Sequence, residues 1–299
     1  MRIHLYRPAA LLNVTGDDAG TFLQGQFTND LRQDTGAAVY GLWLTQKGKV
    51  LADSCVLKLA ENKFQVVSLN SPVTVIQPRL EGYIVADDVT LTDQTSQAHG
   101  LAVAGLRSGE MLQKVLGGTP GPGRFIKSGD RLAFAGHRLR GENYELIGPE
   151  SIITDTRRKL IALGGREADS GEMEFARIMD AMPSIPQDLG PADLPNEGGL
   201  EDAAISFTKG CYLGQEVMAR LKTLGQIRRR LQVVQGAGAP PPLAPLYQGE
   251  KKVGQIRSVA TRGNEFVALA MLSLVNLDPA AGLSLAPDAA ATVKLISRG

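Results

Sequence analysis

A Gly- and Pro-rich run at residues 236–242, Gly-Ala-Gly-Ala-Pro-Pro-Pro, divides the chain of 299 residues into two unequal parts. Glycine and proline cannot sustain helix or strand hydrogen bonding over such a run, so it indicates a turn or linker. The part that follows has short apolar runs separated by turn residues, which predicts several short strands in a small barrel or sandwich. The part before it alternates short strand and helix patterns. The sequence therefore predicts an α+β protein of about two domains, with a β-rich C-terminal domain.

Charge and composition argue against several classes of function. The 32 Lys and Arg nearly cancel the 31 Asp and Glu, giving a net charge of +1, which argues against direct binding to nucleic acid or to an anionic membrane. Two cysteines and three widely separated histidines argue against a disulfide framework and against a stably bound metal. No apolar run approaches the ~18–20 residues of a membrane span, and the start does not resemble a secretory signal. We therefore expect a cytoplasmic protein with free thiols.

The segment with the most chemical information is residues 205–220. Its apolar residues recur at helical spacing from Leu213, and Glu216 and Arg220 stand at i and i+4, which predicts a helix with a favourable ion pair. Cys211 is then expected in the turn that enters this helix.

Cys211 has two interpretations. A helix N-terminus and the nearby Lys209 would both favour thiolate over thiol, which suits a reactive cysteine or a single donated metal ligand. The alternative is a small buried hydrophobe, because free cysteine is among the most buried residue types. The residues alone leave both open, whereas Cys55 lies in the middle of an apolar strand pattern and is expected to be buried.

The run KGCYLGQE at residues 209–216 resembles the signature of the YgfZ family of folate-binding proteins, which are relatives of the glycine-cleavage T-protein, an aminomethyltransferase. Four other segments resemble blocks of that family in the same order, so that the resemblance covers essentially the whole chain. They are FLQGQFTND (22–30), the hairpin LTQKGKVL (44–51), LPNEGGL (194–200) and VGQIRS (253–258).

The resemblance implies a T-protein-like folate-binding fold, with two N-terminal α/β subdomains and a C-terminal β-barrel around a central channel. The expected boundaries are a folate-binding region of residues 1–228, divided into 1–45 with 145–228 and 46–144, and a barrel of residues 229–299. The implied cofactor is tetrahydrofolate or a derivative. The implied partners are iron–sulfur client or assembly proteins, with an indirect effect on tRNA modification.

Two candidate residues follow from alignment with the T-protein. Asp53 stands where the T-protein hairpin carries its catalytic carboxylate, and Asn70 resembles a folate-facing asparagine. The alternatives are an outward-facing strand residue for Asp53, and for Asn70 a helix N-cap or turn residue before Ser71 and Pro72. We expect both side chains to line one folate cavity together with the loop around Glu197.

The candidates implied by the resemblance fall into two groups. Those expected to take part in chemistry are Cys211, Lys209 and Asp53. Those expected to bind folate are Asp53, Asn70, Glu197, Lys209, Tyr212 and Arg220.

One departure from the T-protein pattern bears on the reaction. Met179 stands two residues after Arg177, where the T-protein carries a glutamate that grips the pterin, and a thioether cannot replace its two hydrogen bonds. This weakens the case for aminomethyl transfer. Three functions stay open: a tetrahydrofolate-binding factor for iron–sulfur cluster assembly or repair, a folate-dependent aminomethyl or one-carbon transferase, and a folate-binding scaffold without chemistry.

Overall fold

The structure, a computed structural model, describes residues 1–275 and 277–296. Within these residues the chain is α+β, as expected. The strands are β1 (Arg2–Tyr6), β2 (Ala10–Thr15), β3 (Ala38–Leu44), β4 (Val50–Ala60), β5 (Lys63–Ser68), β6 (Thr90–Asp93), β7 (His99–Ala104), β8 (Phe125–Ser128), β9 (Arg131–Ala135), β10 (Asn143–Gly148), β11 (Arg166–Glu167), β12 (Arg229–Ala237), β13 (Pro245–Gln248), β14 (Lys251–Arg262), β15 (Glu265–Ser273) and β16 (Val293–Leu295). The helices are α1 (Ala19–Gln26), α2 (Val73–Glu81), α3 (Ser108–Leu116), α4 (Glu150–Ala162), α5 (Ser170–Met179), α6 (Glu201–Ala204) and α7 (Gln215–Leu224).

The described strands form three sheets. The first has the order β3-β4-β5-β2-β6, the second β11-β1-β7-β10-β9-β8, and the third β13-β14-β15-β12-β16. Neighbouring strands are antiparallel throughout, apart from the parallel pair of β1 and β11. The hairpin expected around the QKGK turn is confirmed, since β3 and β4 pair across it.

The first and second sheets pack against each other. Leu57 and Val67 of the first sheet share one apolar cluster with Phe134 and Ile147 of the second. Because side chains alternate along a strand, Glu145 shares the inward face of β10 with Ile147. A charged side chain therefore points from β10 into the space between the two sheets.

The third sheet closes on itself. Isolated bridges join Val293 of β16 to Leu283, and Tyr247 of β13 to Ser284. Because Leu283 and Ser284 are adjacent in the chain, the hydrogen bonding returns from β16 to β13 and completes a ring. The expected C-terminal β-barrel is confirmed in this ring, whose core includes Phe266.

The domain boundaries stay a prediction. The third sheet begins at Arg229, and the pairing of β3 with β4 crosses the boundary expected between residues 45 and 46. Among the described residues, no helix has both the length and the apolar character needed to cross a membrane.

Candidate functional site

Two adjoining cavities lie where the first two sheets meet. We call them the inner cavity, of about 30 Å³, and the outer cavity, of about 210 Å³. They share Leu69, Asn70, Arg138 and Arg177. The other polar or titratable residues that line the inner cavity are Tyr40, Asp53, Ser54, Cys55, His137 and Glu145. Larger cavities of about 450 and 760 Å³ lie elsewhere, and every charged residue that lines them is exposed. A cavity of about 260 Å³ beside α7 is lined by the half-buried Glu201 and by exposed charged residues.

Asp53 supplies a carboxylate to the inner cavity from β4. Its Oδ1 accepts a hydrogen bond from Ser71 Oγ at 2.6 Å, and its Oδ2 accepts one from the Tyr40 hydroxyl at 3.1 Å. Ser71 directly precedes Pro72, the N-cap of α2. The start of this helix therefore places the Ser71 hydroxyl next to Asp53 of β4. Burial raises the pKa of Asp53, because water that would stabilise the charged form is excluded. Asp53 is therefore a cavity residue with a fixed orientation.

An aromatic pair forms one wall of the inner cavity. The rings of Tyr40 and His137 are stacked, with centroids 4.1 Å apart and planes inclined by 18°. Burial lowers the pKa of His137 to about 4, so this imidazole is neutral at neutral pH. Burial and the adjacent Asp53 raise the pKa of Tyr40. The wall is thus uncharged and flat.

A buried ion pair faces the same space. Arg138 Nε donates to Glu145 Oε1 at 3.0 Å, and the side chain of Glu145 is 1% exposed. Within the described residues, no well-aligned hydrogen bond reaches Glu145 Oε2, Arg138 Nη2 or the Tyr6 hydroxyl, although these three groups lie beside one another and interact electrostatically. Burial and the charge of Glu145 raise the pKa of Tyr6, whose ring lies 4.5 Å under the Arg138 guanidinium. Because buried polar groups are nearly always hydrogen-bonded, an unpartnered acceptor, donor and hydroxyl in one place indicate a ligand or ordered water.

Asn70 and Met179 differ in their relation to these cavities. Asn70 is exposed, lines both cavities and lies in the turn after β5; Pro72, not Asn70, is the N-cap of α2. Met179 ends α5 and lines neither cavity. Glu145 brings a carboxylate from another element, so the methionine at 179 does not leave the cavity without one.

Cys211 lies in a segment that we call the cysteine loop, residues 205–214. Its side chain is exposed, while Cys55 is buried, as expected. Cys211 precedes α7, which begins at Gln215 after Gly214 has turned the chain with a φ of 88°. Because the side chain of Cys211 is exposed, its interpretation as a buried hydrophobe is wrong.

Lys209 is buried and points away from solvent. Its ammonium donates three hydrogen bonds to backbone carbonyls, at 2.7 Å to Gln24, 2.7 Å to Phe27 and 2.9 Å to Asn29. These bonds use all three N–H donors of the group. Burial lowers the pKa of Lys209 to about 8. Lys209 lines neither the inner nor the outer cavity.

The other three expected folate ligands lie apart from the cavities. Tyr212 lies in the cysteine loop with its side chain buried, and burial raises its pKa to about 12. Arg220 is exposed and pairs with Glu216 at 3.1 Å, which confirms the expected i,i+4 ion pair. Glu197 accepts two bonds of 2.8 Å from Arg229 of the barrel, so the expectation that its loop lines the cavity with Asp53 is wrong. Its carboxylate instead joins the barrel to the N-terminal region.

The structure thus brings Asp53 and Asn70 together, and it places Lys209, Cys211 and Tyr212 in a separate loop. The sequence interpretation missed Tyr40, His137, Arg138 and Glu145, which belong to no motif that we identified. One signal was available for Glu145: it alternates with apolar residues on a short strand, at a position where an inward-facing side chain is expected. Among residues 1–275 and 277–296, no three His, Cys, Asp or Glu side chains are grouped so that they could hold a metal ion.

Comparison with known proteins agrees with the fold. Residues 9–121 match the family model of the GCVT N-terminal domain. Glycine cleavage system aminomethyltransferase T from Bartonella henselae has a similar fold, with a TM-score of 0.76 and 17% identity over 91% of this chain and 79% of that one. The expected T-protein-like fold is therefore confirmed.

Two curated relatives span most of the chain. The mitochondrial iron-sulfur cluster assembly factor IBA57 of Homo sapiens is 29% identical over 280 residues, which cover 87% of this chain and 74% of the relative. The tRNA-modifying protein YgfZ of Klebsiella pneumoniae (strain 342) is 27% identical over 241 residues, covering 79% of this chain and 72% of the relative. The expected resemblance to YgfZ and to the aminomethyltransferases is confirmed.

Proposed function

We propose that this chain binds a tetrahydrofolate in the outer and inner cavities and supports the assembly or repair of iron–sulfur clusters in client enzymes through the cysteine loop. The observation that carries the folate part is the unpartnered set formed by Glu145 Oε2, Arg138 Nη2 and the Tyr6 hydroxyl beside Asp53. The name of the relative IBA57 supports the iron–sulfur part, and that of the relative YgfZ supports an effect on tRNA modification.

The donor set fits a pterin. One edge of a reduced pterin presents N3–H and 2-amino donors next to the O4 acceptor. A carboxylate oxygen accepts from such donors, and a guanidinium nitrogen donates to such an acceptor, with charge-assisted hydrogen bonds. Glu145 and Arg138 offer one free atom of each kind, both desolvated. Pairing them with a pterin would remove the cost of leaving them unsatisfied.

Cavity size suggests which space the ring would take. The inner cavity of about 30 Å³ has room for a water molecule and not for a bicyclic ring. The outer cavity of about 210 Å³ shares Arg138 and Asn70 with it and is open to solvent. We therefore assign the ring to the outer cavity, with the edge that pairs with Glu145 and Arg138 at the border with the inner cavity and with the glutamate tail outside. Bound there, reduced folate would supply the N5 and N10 nitrogens that carry one-carbon units.

We assign the iron–sulfur part of the proposed function to the cysteine loop. Iron–sulfur clusters are held by cysteine thiolates, so an exposed thiol can act as a transient ligand or as a nucleophile toward a client. Cys211 is the exposed cysteine of the two in this chain. The cluster is then cargo, and the partners are iron–sulfur client or assembly proteins. With a net charge of +1, an effect on tRNA modification would be indirect, through an iron–sulfur enzyme that modifies tRNA.

Asp53 favours a second candidate function, a folate-dependent aminomethyl or one-carbon transferase. A carboxylate oriented by Ser71 and Tyr40 beside a folate cavity could hold and deprotonate an amine substrate. In a reconstituted glycine-cleavage assay, turnover comparable to that of a genuine aminomethyltransferase would favour this candidate over the first.

Complementation of a bacterial strain that lacks its YgfZ homologue tests the proposed function. We expect the chain to restore iron–sulfur enzyme activities, and we expect Cys211→Ala and Glu145→Gln to fail while accumulating as folded protein. Thr208→Ala is the matched control, because it changes an exposed side chain of the same loop and keeps the thiol. Full complementation by Cys211→Ala would contradict the role of the thiol and favour a folate-binding scaffold.

A further inference from the structure

The cysteine loop completes the C-terminal end of α1. The last carbonyls of a helix have no partner within it. Here Gln24 O accepts from Lys209 Nζ at 2.7 Å, and Gly25 O accepts from the backbone N–H of Leu213 at 3.2 Å. The loop therefore supplies the hydrogen bonds that α1 cannot make for itself.

Charge favours the same arrangement. The last turn of α1 has no basic residue of its own. Its C-terminal end carries partial negative charge, which a cation nearby stabilises. The Lys209 ammonium meets this end and two carbonyls just beyond it, those of Phe27 and Asn29. An ammonium is compact and has three donors at tetrahedral angles, which suits three converging carbonyls better than a planar guanidinium does.

Lys209 acts at the middle of the loop, between two backbone anchors. Ser206 N donates to Thr28 O at 3.0 Å on one side of Lys209, and Leu213 N binds Gly25 O on the other. Cys211 lies between Lys209 and Leu213 and is exposed. A Cβ placed on Gly210 would meet no atom within 4 Å, so Gly210 adds no side-chain packing before the cysteine, while Tyr212 after it is buried in the core.

We propose that Lys209 is a positioning residue, whose buried ammonium fixes the cysteine loop on the end of α1 and so presents the Cys211 thiol at the surface. This replaces the catalytic and folate-binding roles expected for Lys209 from the sequence. The proposal rests on the proposed function only in that Cys211 is taken as the working thiol. The loop itself can be measured without folate or a client.

Hydrogen–deuterium exchange of the purified full chain tests the proposal. In Lys209→Met, which keeps the length of the side chain and removes the donors, we expect amides of residues 24–29 and 205–214 to exchange about tenfold faster, with the remaining chain unchanged. Lys209→Arg should lie between Lys209→Met and the unchanged protein, because it restores charge and donors without the tetrahedral geometry. Lys47→Met is the control, since it removes an exposed lysine.

Two further measurements distinguish a positioning role of Lys209 from a direct chemical role of its ammonium. Lys209→Met should lose support of iron–sulfur enzymes in cells while its affinity for tetrahydrofolate stays within about twofold of the unchanged protein. Lost support with unchanged exchange would overturn the proposal, because Lys209 would then act through its own ammonium. Unchanged exchange with full support would also overturn it.

Misfolding of a variant and failure of the proposed function can each be distinguished from failure of the positioning role of Lys209. If Lys209→Met does not fold, Lys209→Gln, which retains two donors, takes its place, and global unfolding of both variants would overturn a local positioning role. If Cys211→Ala complements fully, the proposed function fails. The exchange result then still decides whether Lys209 holds the loop.

Discussion

The hydroxyl of Tyr40 donates a hydrogen bond to Asp53 Oδ2 across 3.1 Å, joining adjacent strands of the first sheet. Burial raises the pKa of both groups, so each is harder to ionise than it would be in water. A carboxylate kept in such a place lowers stability, and proteins retain such groups where function requires them. Asp53 is therefore expected to behave as a functional group in mutagenesis and not as a structural one.

The first prediction concerns Asp53 and pH. The folded-state pKa of Asp53 lies above its ordinary value of 3.8. Its contribution to stability is then fully present below the unfolded-state pKa and is lost as pH rises through the folded-state pKa. We expect Asp53→Asn to raise the free energy of unfolding at pH 7 by about 1 kcal/mol, with the difference shrinking toward pH 4. Urea denaturation at the two pH values measures this.

The exposed Asp34 provides the control for this experiment. Asp34→Asn should leave the free energy of unfolding unchanged at both pH values. A loss of stability in Asp53→Asn that is equal at pH 4 and pH 7 would show that the Ser71 and Tyr40 hydrogen bonds outweigh the cost of the buried charge.

The second prediction concerns the ion pair in the cavity wall. Glu145→Gln removes one charge and leaves the Arg138 guanidinium, whose side chain is 12% exposed, without a counter-ion. We expect the free energy of unfolding to fall by about 3 kcal/mol, because an unpaired buried charge is expensive. Glu110→Gln breaks an exposed pair with Arg107 and should cost less than about 0.5 kcal/mol. Equal costs for the two variants would contradict the burial of the Glu145 pair.

The third prediction concerns the two thiols. Cys211 is exposed, whereas Cys55 is buried and burial raises its pKa. Since the thiolate is the nucleophile, iodoacetamide should modify Cys211 in the native protein and Cys55 only after unfolding. Peptide mapping by mass spectrometry with and without denaturant measures both rates. If both thiols stay unmodified until denaturation, the exposed-thiol account of the cysteine loop is wrong.

The fourth prediction concerns Glu197, which the sequence suggested as a folate ligand. Its carboxylate binds Arg229 and lines neither cavity, so Glu197→Gln should leave the affinity for tetrahydrofolate unchanged. It should lower the free energy of unfolding by about 1–2 kcal/mol, because a mostly buried charge-assisted pair is weakened. A loss of folate affinity without a loss of stability would restore the original assignment.

The sequence predicted well what depends on local pattern. The β-rich C-terminal part followed from short strands separated by turns, and the Glu216–Arg220 pair followed from helical spacing. The choice of a barrel over a sandwich followed from the resemblance. The start of α7 was misplaced because Gly214, in a left-handed conformation, turns the chain after Cys211. A glycine inside an otherwise helical pattern does not reveal by itself whether it continues or stops the helix.

The sequence did not predict the residues of the cavity wall, because tertiary contacts bring them together. Asp53 and Tyr40 come from one sheet, while Arg138 and Glu145 come from another, so their proximity is set by how the sheets pack. Lys209 was misassigned for a related reason. Its partners are backbone carbonyls about 180 residues earlier in the chain, and backbone acceptors leave no trace in the identity of side chains.

Titration of the purified protein with tetrahydrofolate in an anaerobic calorimeter tests the central claim most directly. The account predicts saturable heat for the unchanged chain and binding at least about tenfold weaker for Glu145→Gln. Glu142→Gln, which changes an exposed carboxylate close to Glu145 in the sequence, should bind like the unchanged chain. The absence of heat with ligand up to about 1 mM, or equal affinity in Glu145→Gln, would contradict folate binding in these cavities.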